Sequence, residues 1–136
     1  MKQKKIYISG QMTGLKWYEV TKKFREAEKL LHDAGFRVFN PAKRDWQRTL
    51  GDAYTESAPP EVGFKGSYRE YTLICDLFRL VECDAILLLD NWDKSYGATM
   101  EYYFALATNK PVFSSIDVLE AYYECNEKET SKRNKK

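Results

Sequence analysis

Residues 84–101 read DAILLLDNWDKSYGATME, a stretch that combines a strand, a polar turn and the start of a helix. The five consecutive apolar residues Ala85–Leu89 are typical of a strand that is buried on both faces. Glu101 falls in the first turns of the helix that follows the turn. Ligands of open α/β sheets bind in the crevice beyond the carboxyl ends of the strands. We therefore predict a ligand site at this crevice, with Glu101 in it.

The sequence on either side of this stretch alternates between strand and helix patterns. We predict strands at Lys5–Ser9, Phe36–Phe39, Ala85–Leu89 and Lys110–Ser114, and helices at Trp17–Ala34, Ser67–Val81, Ala98–Thr108 and Ile116–Cys125. The short crossovers between strands imply parallel pairing and right-handed connections. The predicted fold is a doubly wound α/β three-layer sandwich, flavodoxin-like or Rossmann-like, with four to five mostly parallel strands. A fifth strand would have to come from a long loop or from another chain.

The length of 136 residues favours one domain, which we place at residues 1–126. Within it, residues 42–66 have no clear period and form a predicted long loop. Loops of this length are often lids or binding loops, and a short helix near Trp46–Tyr54 is the alternative. Residues 127–136 carry five basic and two acidic residues, and we predict a disordered tail there.

Charge and composition exclude several classes of function. The net charge is +2, but outside the tail the chain sums to −1. A nucleic-acid binder carries a basic face on its folded body, so we expect no nucleic-acid partner. Three cysteines without a CxxC pair, together with a single histidine, favour a reducing compartment and argue against a structural or catalytic metal. No signal peptide or membrane span is evident, so we expect a cytoplasmic protein with no membrane partner and no cofactor.

Two loops follow predicted strands at their carboxyl ends. The glycines of Ser9–Gly14 allow close approach to a ligand, and the Thr13 hydroxyl can bind ligand oxygens, although a tight turn explains the same pattern. Ser95 and residues 97–99 open a helix whose amides and dipole favour an anion. From spacing alone, Glu101 is equally a helix-start glutamate that only complements the dipole, while Asp90 can be a turn former.

Three segments resemble the nucleoside 2-deoxyribosyltransferase superfamily. They are KIYISG at 5–10, Asp76 followed by CDAILLL at 83–89, and SYGATME at 95–101. More narrowly, GQMTG at 10–14 and the pattern Trp92-x-x-Ser95-x-Gly97-Ala98-x-x-Glu101 are similar to small bacterial and phage members. The Ser-x-Gly-x-x-x-Glu spacing is also similar to that of 2′-deoxynucleoside 5′-monophosphate N-glycosidases. The resemblance covers residues from about 4 to 112, except the long loop.

The resemblance implies a role for each matching residue. Glu101 matches the nucleophile that attacks the anomeric carbon, Tyr7 matches a tyrosine that contacts this carboxylate, and Asp76 matches an acid near the base and sugar. Ser95 falls where the transferases carry an aspartate and the nucleotide hydrolases carry a serine that contacts phosphate. The other expected substrate-binding residues are Gly10, Met12, Thr13, Asp90, Trp92, Gly97 and Ala98.

These roles agree with the chemistry of an N-glycosidic bond. A carboxylate stabilises or bonds to the positive sugar, and a second acid protonates the leaving base. A serine at position 95 removes one negative charge from the pocket, which favours a phosphorylated substrate. The expected function is cleavage or transfer of an N-glycosidic bond on a nucleoside or nucleotide, by a monophosphate N-glycosidase or a deoxyribosyltransferase, with hydrolysis of a nucleoside monophosphate preferred.

Other interpretations use the same pocket. A non-catalytic module that binds or sequesters a nucleotide needs no nucleophile. The GATME at 97–101 also resembles the Gly-Thr-x-x-Glu of cytokinin-type phosphoribohydrolases, but no Pro-Gly-Gly run precedes it. The ten tyrosines and the family resemblance favour a homo-oligomer, in which a neighbouring subunit helps to complete each site.

Overall fold

The computed structural model describes residues 3–42 and 65–134. Over these ranges, strands and helices alternate as the sequence predicts. The elements are β1 (Lys5–Ser9), α1 (Trp17–Asp33), β2 (Arg37–Phe39), α2 (Tyr68–Val81), β3 (Ala85–Leu88), α3 (Tyr96–Ala107), β4 (Val112–Phe113) and α4 (Ile116–Asn134), with a 3-10 turn at Trp92–Lys94.

The predicted end of the last helix and the predicted long loop are taken next. The last helix continues to Asn134, beyond the predicted end at Cys125. This segment contains no glycine or proline that would stop the helix. The predicted long loop falls almost wholly on residues 43–64, and these lie outside the described ranges, as does the alternative helix near Trp46–Tyr54.

The sheet positions a crevice between its two central strands. Its order within the described ranges is β2-β1-β3-β4, with every pair parallel. Tyr7 of β1 pairs with Phe39 of β2 on one side and with Ile86 of β3 on the other. The direction of winding reverses between β1 and β3, and a ligand crevice opens at such a switch point. The predicted doubly wound α/β sandwich is confirmed, with four strands in the described part of the chain.

Alternate residues of the strands enter two separate cores. Ile6 and Ile8 face a cluster that includes Phe24 and Leu31 of α1 and Leu119 of α4. On the other face, Tyr7, Ile86 and Leu88 pack with Leu80 of α2 and Ala105 of α3. Helices α2 and α3 therefore cover the face of the sheet to which Tyr7 points, and they flank the crevice.

Serine side chains set where α2 and α3 begin. The Ser67 hydroxyl accepts a hydrogen bond from the Glu70 backbone N–H at 3.1 Å, and the Glu70 carboxylate accepts one from the Ser67 backbone N–H at 2.8 Å. The bond from the Ser67 backbone is the main reason why the pKa of Glu70 is lowered. The Ser95 hydroxyl accepts a bond from the Ala98 backbone N–H at 3.2 Å. These caps fix the first turns of both helices beside the crevice.

The apolar face that the sequence indicates for α2 is not the face that packs on the sheet. The sequence places Tyr71, Ile74, Cys75, Phe78 and Val81 on one apolar face. Among them, Ile74, Phe78 and Val81 are 54%, 65% and 59% exposed. The buried face instead carries Thr72, Asp76 and Leu80. Polar groups of α2 are therefore directed inward, toward the crevice.

Candidate active site

Glu101 lies at the centre of the crevice and is held by two hydroxyls of β1. Its side chain projects from the second turn of α3 and is only 6% exposed. The Ser9 hydroxyl donates a hydrogen bond to Oε1 at 2.7 Å, and the Tyr7 hydroxyl donates one to Oε2. Tyr7 and Ser9 are two residues apart on a strand, so they point to the same face. Both carboxyl oxygens thus accept hydrogen bonds, as an ionised carboxylate does.

The burial of Glu101 differs from that of a residue that only complements a helix dipole. Such a residue lies in the first turn, where its charge is solvated and its effect is worth about 0.3–1 kcal/mol. Burying a carboxylate costs several kcal/mol unless partners compensate it, by the order of magnitude known for buried ions. The two hydroxyls contribute to that compensation.

A single pocket collects most of the predicted site residues. It is lined by Gly10, Met12 and Thr13 from the loop after β1, by Ser95, Gly97, Ala98 and Glu101 from the start of α3, and by Asp76 from α2. Asp76 is 9% exposed. The structure therefore places two carboxyl groups, from two different helices, on the walls of the same pocket. Tyr7 is fully buried and reaches this pocket through Glu101.

Two predicted binding residues do not line this pocket. Asp90 is exposed, and its backbone carbonyl accepts a hydrogen bond from the Lys23 ammonium at 2.7 Å. Trp92 is half-buried against Tyr102, with their ring centroids 4.7 Å apart. Asn91 between them takes a left-handed conformation, with φ of 63°. Asp90 and Trp92 thus lie in the turn and the 3-10 helix that precede Ser95, and neither is among the residues that line the pocket.

Sequence reasoning missed several residues at the pocket. Ser9 ends the predicted first strand, but the sequence assigns it no role in the site, although its hydroxyl binds Glu101. The pocket is also lined by Pro41, Arg69, Thr72 and Leu73. Arg69, Thr72 and Leu73 precede Asp76 by seven, four and three residues, the spacing of one helix face. Helical spacing counted from Asp76 would have identified them.

Gly10 has a packing role beside its place in the pocket. A Cβ atom at Gly10 would lie 3.1 Å from Leu89 Cβ and 3.3 Å from Phe24 Cζ. Such contacts are tighter than ordinary van der Waals distances, so the absence of a side chain lets the loop after β1 lie close to β3 and α1.

Two absences hold for the described residues. Over 3–42 and 65–134, no group of three or more histidine, cysteine, aspartate and glutamate side chains could hold a metal ion. In the same ranges, no helix has both the length and the apolar character needed to cross a membrane.

The geometry can be compared with known proteins. A family model described as a domain of unknown function, DUF4406, matches residues 4–114. The chain belongs to this family. This DUF4406 chain is also similar to a solved structure, the 2-deoxyribosyltransferase of the psychrotolerant bacterium Bacillus psychrosaccharolyticus. The two share 27% identity over 79% of this chain and 69% of the other, with a TM-score of 0.51. No curated protein matches the chain. The expected nucleoside 2-deoxyribosyltransferase-like fold is confirmed.

Proposed function

We propose that this protein cleaves or transfers the N-glycosidic bond of a nucleoside or nucleotide, with Glu101 as the nucleophile. Structural similarity to a 2-deoxyribosyltransferase supports nucleoside glycosyl transfer in general. The observation that carries the proposal is the buried Glu101 carboxylate, held by Tyr7 and Ser9 in a pocket that Asp76 also lines.

The first chemical step forms a glycosyl ester. A Glu101 carboxylate oxygen attacks the anomeric carbon of the sugar, and the bond from that carbon to the base nitrogen breaks. The electron pair of that bond stays on the base, which takes a proton from the Asp76 carboxyl group. This is the division of labour between two carboxyl groups in retaining glycosidases.

The second step releases the sugar from Glu101. Water attacks the anomeric carbon, Asp76 takes the proton from that water, and Glu101 leaves as a carboxylate. In a transferase, the nitrogen of a second base takes the place of water. The negative charge returns to Glu101 in this step, so the Tyr7 and Ser9 hydroxyls stabilise the leaving carboxylate through charge-assisted hydrogen bonds.

Hydrolysis of a nucleoside monophosphate is the preferred form of the reaction. Ser95 contributes no charge to the pocket, whereas an acidic side chain at its position would repel a phosphate. The start of α3 has no acidic residue in its first turn. Its dipole is thus available to an anionic substrate.

Glu101→Gln tests the nucleophile directly. Each common nucleoside and its 5′-monophosphate is incubated with the protein, and the free base is measured by chromatography. We expect base release by the variant to fall by roughly 10³-fold or more, because the amide cannot form the ester. Glu120→Gln, an exposed change on α4, is the matched control. Full activity in Glu101→Gln would exclude the mechanism.

The same assay separates the candidate activities. A new nucleoside after addition of a second base identifies a transferase, whereas free sugar or sugar phosphate identifies a hydrolase. Rapid acid quench and mass spectrometry should find the sugar attached to the Glu101 peptide. Tight nucleotide binding by the wild-type chain without any base release would instead identify the non-catalytic binding module.

We also propose that two copies of the chain pair through the exposed stripe Ile74, Phe78 and Val81 of α2. If the two α2 helices pack antiparallel about a two-fold axis between residues 77 and 78, the stripe of one copy covers that of the other. Sedimentation velocity should show a dimer that Phe78→Glu converts to a monomer and that Val118→Glu, on exposed α4 surface, leaves intact. A wild-type monomer at tens of micromolar contradicts the pairing.

A further inference from the structure

A buried hydroxyl in the pocket lacks a partner. Thr72 is 8% exposed and lines the pocket one helical turn before Asp76. Among the described residues, nothing forms a hydrogen bond with its Oγ1. A buried polar group without a partner costs about 1–3 kcal/mol, so such groups are rare and call for an explanation. An atom of a bound ligand would supply the missing partner.

A cationic side chain lines the pocket one turn earlier on the same helix. Arg69 Nη2 lies 3.7 Å from the position that a Cβ atom of Gly97 would occupy, so the guanidinium reaches across to the first turn of α3. No carboxylate of the described residues lies within ion-pair distance of Arg69. Arg69 therefore offers donors to a ligand anion, and guanidinium geometry suits phosphate.

The start of α3 lies beside this guanidinium. The Ser95 hydroxyl is 3.8 Å from the same Cβ position of Gly97, and α3 has no acidic residue in its first turn. Backbone N–H groups at the start of a helix lack intrahelical acceptors. The Ala98 N–H already donates to the Ser95 hydroxyl, so the hydrogen-bond donors at this end of the pocket are Arg69, Thr72 and the backbone N–H groups that precede Ala98.

The other end of the pocket carries the carboxyl groups. Arg69 and Asp76 are seven residues apart on α2, a rise of about 10 Å. Ser95 and Glu101 are six residues apart, a rise of about 9 Å along α3. Because the crossovers are right-handed and the strands parallel, α2 and α3 run in the same direction. Arg69 near the start of α2 therefore lies beside Ser95 at the start of α3. The pocket is therefore electrostatically polarised along its length.

We infer that the donor end of the pocket is a phosphate monoester subsite, in which Arg69 and Thr72 donate hydrogen bonds to the 5′-phosphate of a nucleoside monophosphate. This deepens the proposed function and rests on it for the sugar end, where Glu101 meets the anomeric carbon. A dianionic phosphate is attracted to Arg69 and repelled by the Glu101 carboxylate, so charge selects one orientation of the substrate. Arg69 and Thr72 are thus specificity-determining residues, and the substrate class is the 5′-mononucleotide.

The test compares one deoxynucleoside with its 5′-monophosphate. The measured quantity is the ratio of kcat/KM for the mononucleotide to kcat/KM for the nucleoside. We expect Arg69→Ala to lower this ratio by roughly 10- to 150-fold, mainly through KM, the range for a hydrogen bond to a charged group. Thr72→Val should lower it by roughly 10-fold, and Thr72→Ser, which keeps the hydroxyl, should restore it. Arg25→Ala, an exposed arginine on α1, is the control and should leave the ratio unchanged. An unchanged ratio in both Arg69→Ala and Thr72→Val overturns the subsite.

A binding measurement keeps this inference separate from the reaction. Calorimetric titration gives the Kd of the same two ligands with the wild-type chain and with Arg69→Ala. If no substrate releases base, yet the mononucleotide binds the wild-type chain at least about 10-fold more tightly than the nucleoside and Arg69→Ala abolishes that difference, the subsite stands and the proposed reaction fails. If base is released but the phosphate adds no affinity, the reaction stands and the subsite fails.

Discussion

Removal of a single hydroxyl tests whether the contact between β1 and α3 positions the nucleophile. In Tyr7→Phe, the ring remains stacked on Phe39, with ring centroids 5.4 Å apart and planes 19° from parallel. The change takes away only the donor to Glu101 Oε2. The Ser9 hydroxyl still donates to Oε1 at 2.7 Å. The variant therefore measures how much one of the two hydrogen bonds to the buried Glu101 carboxylate contributes to activity and to stability.

The magnitude follows from the charge and burial of the acceptor. A hydrogen bond to a charged group is worth about 1.5–3 kcal/mol, which corresponds to a factor of roughly 10–150. We expect kcat/KM for base release to fall within this range. Most of this decrease in kcat/KM should come from a lower kcat, because the hydrogen bond from Tyr7 regains its full strength as the Glu101 carboxylate leaves the sugar. The free energy of unfolding should fall by about 1–3 kcal/mol, because the buried carboxylate keeps fewer donors.

The assays are quenched-flow measurement of base release and urea denaturation followed by intrinsic fluorescence. Tyr103→Phe, a change at an exposed tyrosine of α3, controls for the loss of any phenol hydroxyl. Ser9→Ala removes the second donor, and Tyr7→Phe/Ser9→Ala should lose less than the product of the single effects if both act through Glu101. Wild-type kcat/KM and wild-type stability in Tyr7→Phe would refute the claim that the phenol holds the nucleophile.

Two further predictions concern packing and thiol reactivity. Gly10→Ala should lower the free energy of unfolding by about 1–3 kcal/mol, because its Cβ would meet Leu89 Cβ at 3.1 Å; an unchanged urea midpoint would show that the loop relaxes freely. Burial raises the pKa of the Cys83 thiol to about 11, so Cys83 holds very little thiolate at pH 8. Iodoacetamide should therefore label the exposed Cys125 first and Cys83 only in denaturant, as measured by peptide mass spectrometry, and equal labelling of the folded chain would contradict the burial of Cys83.

The fold could be predicted because its buried strands carry a strong local signal. The apolar run of β1 ends at Ser9 in both the prediction and the structure, and the glycine after α1 has a φ of +94°, as a helix stop requires. The face that α2 buries could not be predicted in the same way. Periodicity shows which residues of a helix share a face, but it does not show which face meets the sheet.

The site was predictable only in part, because its key contacts join distant parts of the sequence. Tyr7 and Glu101 are 94 residues apart, and the family resemblance, not local spacing, suggested their contact. Ser9 was within reach of sequence reasoning, since it shares a strand face with Tyr7. Arg69 and Thr72 were not predicted as pocket residues, because the apolar stripe on the opposite side of α2 is the stronger pattern in the sequence.

The two faces of α2 link substrate binding to pairing of the chains. Thr72 and Asp76 face the pocket, while Ile74 and Phe78, in the same two turns, face outward. A partner copy that covers the outer face restrains the helix and therefore the position of Asp76 relative to Glu101. We thus expect specific activity to fall on dilution over the concentration range in which sedimentation shows the dimer dissociating. Phe78→Glu should have that lower activity at every concentration. Constant specific activity across this range would mean that each copy holds α2 in place without its partner.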